Sequence, residues 1–497
     1  MPVHSTHPDY DAFISRWLMC RDAVEGEHAI KQGRSAYLPM LSGHHDPKHG
    51  AEAYEAYLGR ALWFGATDRT LNGYVGAIMR RDPAFEVPSA IAERLKDVTG
   101  CGQNAVEFTH AQLKELLTTG RYGLLVDKPT TGGVNDMPFI KIYYPENILN
   151  WCCDDNGVLQ FVTLLEVVYK PKDGDRYLME AVKQIRELSM EDDQYVVRLH
   201  EQQRDGDGAL IDAYVEIKTE TPTMRGAALE AIPFVFVSCD KDAHSCSKPP
   251  MMDLVTANIN HYQLDADYRH GLHFTALPTP VFTGITEEKD YFLGSEVAIN
   301  LRNENSKAFF LEFQGTGLTA IKDAMEERKA QMAALGAALI QRGKQGKGVE
   351  TAEAARIQHS GETSLLATVV GRVEEGCEKA LNMVAAWHGA ADAAASVVLN
   401  RDFIDAALTA ADITALVLAW QSGGLPTNEL YWNFLRGGVV NPATSADQFS
   451  SEVEKSVEEA TKRAAARASQ PPALGQDTAK GQPGAAGQGG AAPSKAE

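Results

Sequence analysis

The sequence predicts an α+β chain, and three observations carry that reading. Apolar residues recur at three- and four-residue spacing over residues 8–120, which is the period of helices. Residues 121–240 change to short runs rich in β-branched and aromatic side chains, broken by Asp, Gly and Asn clusters, which is the pattern of strands. From Met251 onward the helical period returns and culminates in two long patterns, Gly317–Leu339 and Glu350–Gly389, joined by Arg342-Gly-Lys-Gln-Gly-Lys-Gly348.

In chain order, the opening is irregular, marked by Trp17, Tyr37-Leu-Pro39 and the Gly- and His-rich stretch Ser42–Gly50. Tyr54, Tyr57, Leu58, Ala61 and Leu62 then predict one helix, and Leu71, Val75 and Ile78 a second that Asp82-Pro83 stops. Gln112–Leu117 predicts a short amphipathic helix, after which Gly120–Asp127 enters a sheet. Phe139–Tyr143, Phe161–Tyr169, Tyr195–Glu201, Tyr214–Thr219 and Phe234–Val237 are the further strands, with antiparallel pairing expected. Met251–Phe274 is a helix with Val255, Ile259, Tyr262 and Ala266 on one face, ended by Pro278 and Pro280. A short segment with strand-like Phe309–Phe313 follows.

The first long pattern puts Ile321, Met325, Met332, Leu335 and Leu339 on one face, with Lys322, Asp323, Glu326, Glu327 and Lys329 around the rest. The second repeats Leu366, Val370, Val373, Cys377, Leu381 and Val384, and Gly389 ends it. The loop between them holds three glycines and three cations. It bends sharply and cannot pack a core, so its charge is offered to solvent or to a polyanion; read alone, it is a flexible surface turn. Helices return over Asp402–Ala460, and from Ala468 the Ala, Gly, Pro, Gln and Ser composition predicts disorder.

Composition limits the function. The 497 residues, 44% of them hydrophobic, suffice for a large core and two to four regions. No run of about eighteen apolar residues predicts a membrane span, and the polar start lacks a signal-peptide core. Seven scattered cysteines do not resemble a disulfide framework, which points to assembly in a reducing cytoplasm. A net charge of −20 argues against coating nucleic acid through the general surface. It leaves room for a conduit whose walls attract a polyanion only locally.

Catalytic chemistry finds little support. Cys239, His244 and Cys246, with His261 downstream, lack the tight CxxC spacing of a zinc site and sit among loop residues. His44, His45 and His49 beside Asp46 read as a solvated loop, and Asp240 and Asp242 as a polar turn after a strand. Gly73-Tyr-Val-Gly76 lies in a helical pattern and is read as close helix packing rather than a phosphate loop. Neither GxxxxGK[ST] nor GxSxG occurs, so no metal or cofactor is expected and any ATP-driven motor is another protein.

Several local motifs occur in a telling order. They are Tyr57-Leu-Gly-Arg-Ala-Leu62, Thr67-Asp-Arg-Thr-Leu-Asn-Gly73, Gly120-Arg-Tyr-Gly-Leu-Leu-Val-Asp127 and Ile232-Pro-Phe-Val235. Further along come Lys329-Ala-Gln-Met-Ala-Ala-Leu-Gly336, Glu350-Thr-Ala-Glu-Ala-Ala-Arg356, Gly424-Leu-Pro-Thr427 and Leu435-Arg-Gly-Gly-Val439. With this order of elements the chain resembles bacteriophage portal proteins over about residues 10–460.

The resemblance implies a portal-protein fold: a wing over 1–250, helical over 8–120 and strand-rich over 121–240, a first stem helix over 251–274 and a small β-containing clip over 275–316. A second stem helix over 317–341, a tunnel loop over 342–349, a long tunnel helix over 350–389, a crown over 390–467 and a disordered tail over 468–497 complete it. It further implies a non-enzymatic homo-oligomeric ring, a dodecamer, at one capsid vertex of the virion, with Arg342, Lys344 and Lys347 facing double-stranded DNA without sequence readout. The implied partners are the terminase large subunit, a head–tail adaptor or tail protein and the major capsid protein, with no membrane. The alternatives are a metal-dependent phage hydrolase and a monomeric scaffolding or interaction protein.

Overall fold

In the computed structural model the described residues are 2–128, 138–172, 175–206, 208–240, 242–276, 279–284, 307–311, 315–336, 352–390, 394–401, 410–436, 439–440 and 444–468. The chain divides into two units, Met1–Phe403 and Ile404–Glu497.

Helix α1 (Pro8–Glu25) occupies an opening expected to be irregular, and Trp17 lies in its middle, 1% exposed. Its apolar stripe is narrow, so helical period was weak there; tertiary packing supplies the burial. α2 (Glu27–Gln32), α3 (Gly50–Arg60) and α4 (Ala66–Ile78) follow. Tyr54, Tyr57, Leu58 and Ala61 are buried as the spacing required, whereas Leu62, beyond the end of α3, is exposed. α4 ends at Ile78, four residues before Asp82-Pro83. Strand β1 (Ala84–Glu86) leads to α5 (Ala105–Thr119), much longer than its expected core Gln112–Leu117. Asn104 starts it: its side chain accepts from the Glu107 N–H at 3.0 Å and Glu107 accepts from the Asn104 N–H at 3.2 Å, a reciprocal cap.

The strands form two main antiparallel sheets. β2 (Arg121–Asp127), β3 (Phe139–Tyr143) and the later β11 (Phe234–Ser238) pair in the order β11-β2-β3. β4 (Ile148–Cys153), β5 (Leu159–Lys172), β6 (Asp175–Glu191), β7 (Gln194–Arg204) and β8 (Leu210–Glu220) form a five-stranded meander in sequence order. Neither β4 nor β6 was expected from the sequence. A carboxylate ties the sheets together: Glu166 of β5 accepts from Tyr143 Oη and Lys141 Nζ of β3 and lies 3.4 Å from Arg186 Nε of β6. Burial alone would raise the Glu166 pKa, but Arg186, Lys141 and the hydrogen bonds outweigh it and hold the carboxyl below its ordinary value. A small hairpin, β9 (Thr223–Met224) with β10 (Ala227–Ala228), precedes β11.

Helix α6 (Met252–Ala276) then runs 25 residues with Val255, Ile259, Tyr262 and Ala266 buried, the face read from spacing. A two-stranded ribbon follows, β12 (Thr279–Thr283) paired antiparallel with β13 (Lys307–Leu311). α7 (Thr316–Ala334) returns along α6, and α8 (Ala352–Trp387) is the longest helix described. Leu366, Val370, Val373, Cys377, Leu381 and Val384 of α8 are all buried, and Gly389, φ +76°, stands just past its end. They share one core with α5 and with Tyr122, Leu124, Val126, Val235 and Val237 of the three-stranded sheet. Gly376 permits the approach to β11, since a Cβ there would lie 2.5 Å from Val237 Cγ2. β14 (Ser396–Val398) pairs with β1.

The second unit holds α9 (Ala410–Gln421), α10 (Thr427–Arg436) and α11 (Ala446–Ala468). Its buried apolar side chains, among the described residues, are Leu430, Tyr431 and Phe434 of α10. The expected helical run Ile404–Leu408 and the expected disorder beyond Ala468 lie outside the described residues.

Candidate functional site

Arg342, Lys344 and Lys347 lie outside the described residues, so the site is built from the elements on either side. On the near side, α7 buries Met325 and Met332, while Leu335 is exposed beyond the helix end and Leu339 is outside the described residues. Lys322, Asp323, Glu326 and Glu327 are exposed, and Lys329 pairs with Glu326 at 2.9 Å. The chain leaving α7 is fastened to α4: Gly336 has φ +117°, and a Cβ there would stand 2.1 Å from Tyr74 Oη. Only glycine fits both the backbone and the space.

On the far side, α8 carries a polar stripe beside its apolar one. Glu374 Oε1 accepts from the Leu399 N–H at 2.8 Å, Glu378 Oε1 from the Val397 N–H at 3.0 Å, and Asn382 Oδ1 from the Ala395 N–H at 2.7 Å. Four residues of helix rise about 6 Å and two of strand about 6.6 Å, so a stripe at i, i+4, i+8 matches alternate amides of an antiparallel strand. Side chains thus act as the missing edge for β14, whose other edge pairs with β1. The sequence did contain the signal: each of the three directly follows a buried residue, Val373, Cys377 or Leu381. Replacing Glu378 by alanine leaves a backbone N–H without its acceptor and is expected to cost about 1–3 kcal/mol. Urea unfolding checks the loss; Glu378→Gln, which keeps an acceptor oxygen, should recover most of it.

The ribbon between α6 and α7 carries the largest uncovered rings of this region. Val281 pairs with Phe309 on one face, while Phe282 and Phe310 lie on the other. Phe309 is 50% and Phe310 63% exposed. Leu272 and Phe274 at the end of α6 are also exposed.

The clusters weighed for catalysis do not converge. Cys239 Sγ faces the Leu116 carbonyl at 3.9 Å, and burial pushes its thiol up to about 12. Cys246 Sγ instead accepts from Arg121 Nη1 at 2.6 Å, and the His244 ring stands edge-on to Phe236 at 5.3 Å. His261 is buried in α6 against Phe64. His44 corrects the solvated-loop reading: it is 7% exposed, packed against Tyr54 and Tyr57 from a 3-10 turn, Ser42–His45. His45 and His49 are exposed, and Asp46 accepts from the Lys48 and His49 N–H groups. Asp242 accepts from the His244 N–H at 2.9 Å, a polar turn. Gly76 has open space where its Cβ would be, so it does not serve close packing. A cleft of about 130 Å³ between β11 and α8 is lined by Asp240, Arg372, Glu375 and Lys379, with both cations paired to Glu375. Among the described residues no three His, Cys, Asp or Glu side chains are grouped to hold a metal ion, and no helix is long and apolar enough to cross a membrane.

Residues 250–388 match a family described as a domain of unknown function, DUF4055, a stretch running from α6 through α8. No curated protein matches the chain. Among solved structures, the neck of an empty gene transfer agent (GTA) particle computed with C6 symmetry is 13% identical, with a TM-score of 0.37, covering 82% of this chain and 99% of that one. The virion of a native gene transfer agent particle is similar at 13% identity and TM-score 0.35, covering 77% of this chain and 91% of that one. The neck of a native GTA particle computed with C12 symmetry is similar at 14% and 0.36, covering 75% and 89%. Superpositions this loose do not fix a function.

Proposed function

We propose that the chain is the subunit of a portal-type ring: a homo-oligomer, of twelve copies on the resemblance, that conducts double-stranded DNA into and out of a phage-like capsid. One observation carries this reading. A two-stranded ribbon is marginal by itself in water, and this one exposes phenylalanine on both faces. An isologous dimer covers one face and leaves the other; a head-to-tail contact covers both and, where the rotation closes, makes a ring.

The remaining parts take roles accordingly. α6 and α7 are the two stem helices, the ribbon is the clip, and α8, anchored in the core from Leu366 to Ala385, is the strut that carries the loop Arg342–Gly348. Copies of Arg342, Lys344 and Lys347 gather about one axis, where each phosphate contact is screened within about 8–10 Å and holds DNA without reading it. The ring is a docking platform rather than an enzyme: the terminase large subunit during filling, an adaptor or tail protein at the clip afterwards, and the major capsid protein around the wing.

Negative-stain images of the purified chain test the ring; annuli with a central hole are expected, and a monodisperse monomer at micromolar concentration would overturn it. The loop has a test of its own. Neutralising Arg342, Lys344 and Lys347 together by glutamine is expected to leave annuli intact and to weaken DNA retention, with a shallower salt dependence. Packaging and ejection indistinguishable from the parent would remove the loop from the mechanism.

A further inference from the structure

Helix α6 carries three histidines, His261, His270 and His273, and His44 reaches it from the turn Ser42–His45, its ring centroid 6.4 Å from that of His270. Two of these four rings make hydrogen bonds open only to an unprotonated nitrogen. Arg60 Nη2 stands 3.2 Å from His270 Nδ1, and since a guanidinium only donates, Nδ1 accepts. The Leu41 backbone N–H lies 3.0 Å from His44 Nδ1 and likewise only donates. Each ring is therefore neutral with its proton on Nε2. A second proton can enter only at Nδ1, the atom already in use, where it would set one donor against another.

The surroundings sharpen the conflict. His44 packs on Tyr54 at 5.5 Å and Tyr57 at 5.2 Å; His270 packs on Tyr57 at 5.2 Å and Phe274 at 4.7 Å. The titratable groups facing the pair are Arg60, Tyr54 and Tyr57 from α3, His45 from the turn, and Asp267 and His273 from α6. α7 meets this stretch through an apolar contact, Leu318 against Gly271. Asp267 already accepts from Tyr57 Oη at 2.6 Å. Burial lowers both histidines, with Arg60 and His44 adding to the effect at His270 and His45 at His44.

We propose that His44 and His270 form an acid-released clasp that holds α6 against α3 and the turn before it. At neutral pH the two rings accept the Arg60 and Leu41 hydrogen bonds and pack together. Once both are protonated, two imidazolium rings and the Arg60 guanidinium share one stack, and this stretch of α6 lets go. The ribbon follows directly from α6 in the chain, so release loosens its base. The sign follows from the depressed folded-state pKa values: stability is complete above the unfolded value of about 6.5 and is lost as pH falls through it toward the folded value.

Hydrogen exchange of the α6 amides in the full chain, corrected for intrinsic pH dependence, tests this at about pH 7.5 and about pH 5.5, which bracket the imidazole range. The comparison is with the double variant His44→Asn, His270→Asn, whose amide oxygens replace the Nδ1 acceptors without titrating. Wild-type protection is expected to fall severalfold more on acidification than that of the double variant, which keeps only the smaller loss due to the buried His261. Equal wild-type protection at both pH values, or an equal acid loss in the double variant, overturns the clasp. His273→Asn, which removes a ring making neither hydrogen bond, must retain the wild-type loss; a level profile in that variant overturns it too.

Discussion

Replacing Arg21 with methionine is expected to destabilise the first unit by about 3 kcal/mol, because the buried Glu115 and the half-buried Glu146 lose the cation they share. Arg21 Nε and Nη2 donate to Glu146 at 2.5 and 2.9 Å, and Nη1 and Nη2 donate to Glu115 at 3.2 and 2.8 Å. Glu115 is 5% exposed. Burial raises its pKa even with Arg21 in place, so removing the cation raises it further. A group with a raised folded-state pKa gives its stability in full below the unfolded value and loses it as pH rises through the folded one. The deficit of Arg21→Met relative to wild type, compared at equal pH, should therefore be largest above neutrality and shrink as Glu115 protonates. Urea unfolding followed by circular dichroism reads this directly; a deficit independent of pH would mean that lost packing, not unpaired charge, is responsible. Glu115→Gln in the wild-type background should cost less, since the amide oxygen still accepts from the guanidinium.

What the sequence disclosed follows from where the physics is local. The stripes of α6 and α8 were legible residue by residue because each helix presents one long face to a single core, so burial repeats at the helical period. β6 was not legible. Leu178, Val182, Ile185 and Leu188 are spaced by four, three and three, a helical rhythm, yet these residues lie in a strand whose register is set by β5 and β7. Non-local pairing overrode the local pattern. α5 was cut short although its start was written in Asn104-Ala-Val-Glu107, an N-terminal capping signal that apolar spacing does not report. The His44 turn has the composition of a solvated loop, and it is buried by the Tyr54 and Tyr57 rings of the helix that follows together with His270, which is remote in sequence. The same holds for Arg21, Glu115 and Glu146, which are 94 and 125 residues from their partner.

The ring reading makes a further demand that ordinary surface substitutions would not. Phe309→Ser and Phe310→Ser each remove one ring from the ribbon, and, since both side chains are at least half exposed, the isolated subunit should lose within about 0.5 kcal/mol. Assembly should fail in both. In a head-to-tail ring every junction sets the Phe309 face of one copy on the Phe310 face of the next, so removing the exposed ring from either face in all copies weakens every junction by about 1 kcal/mol or more, summed around the ring. An isologous dimer would be sensitive to only one of the two. Mixing the variants separates the cases further. A Phe310→Ser copy keeps its Phe309 face and a Phe309→Ser copy keeps its Phe310 face, so together they form one intact junction and one that is doubly broken. Light scattering should then find heterodimers and no annuli. Annuli from either variant alone would mean that the ribbon is not where the subunits meet.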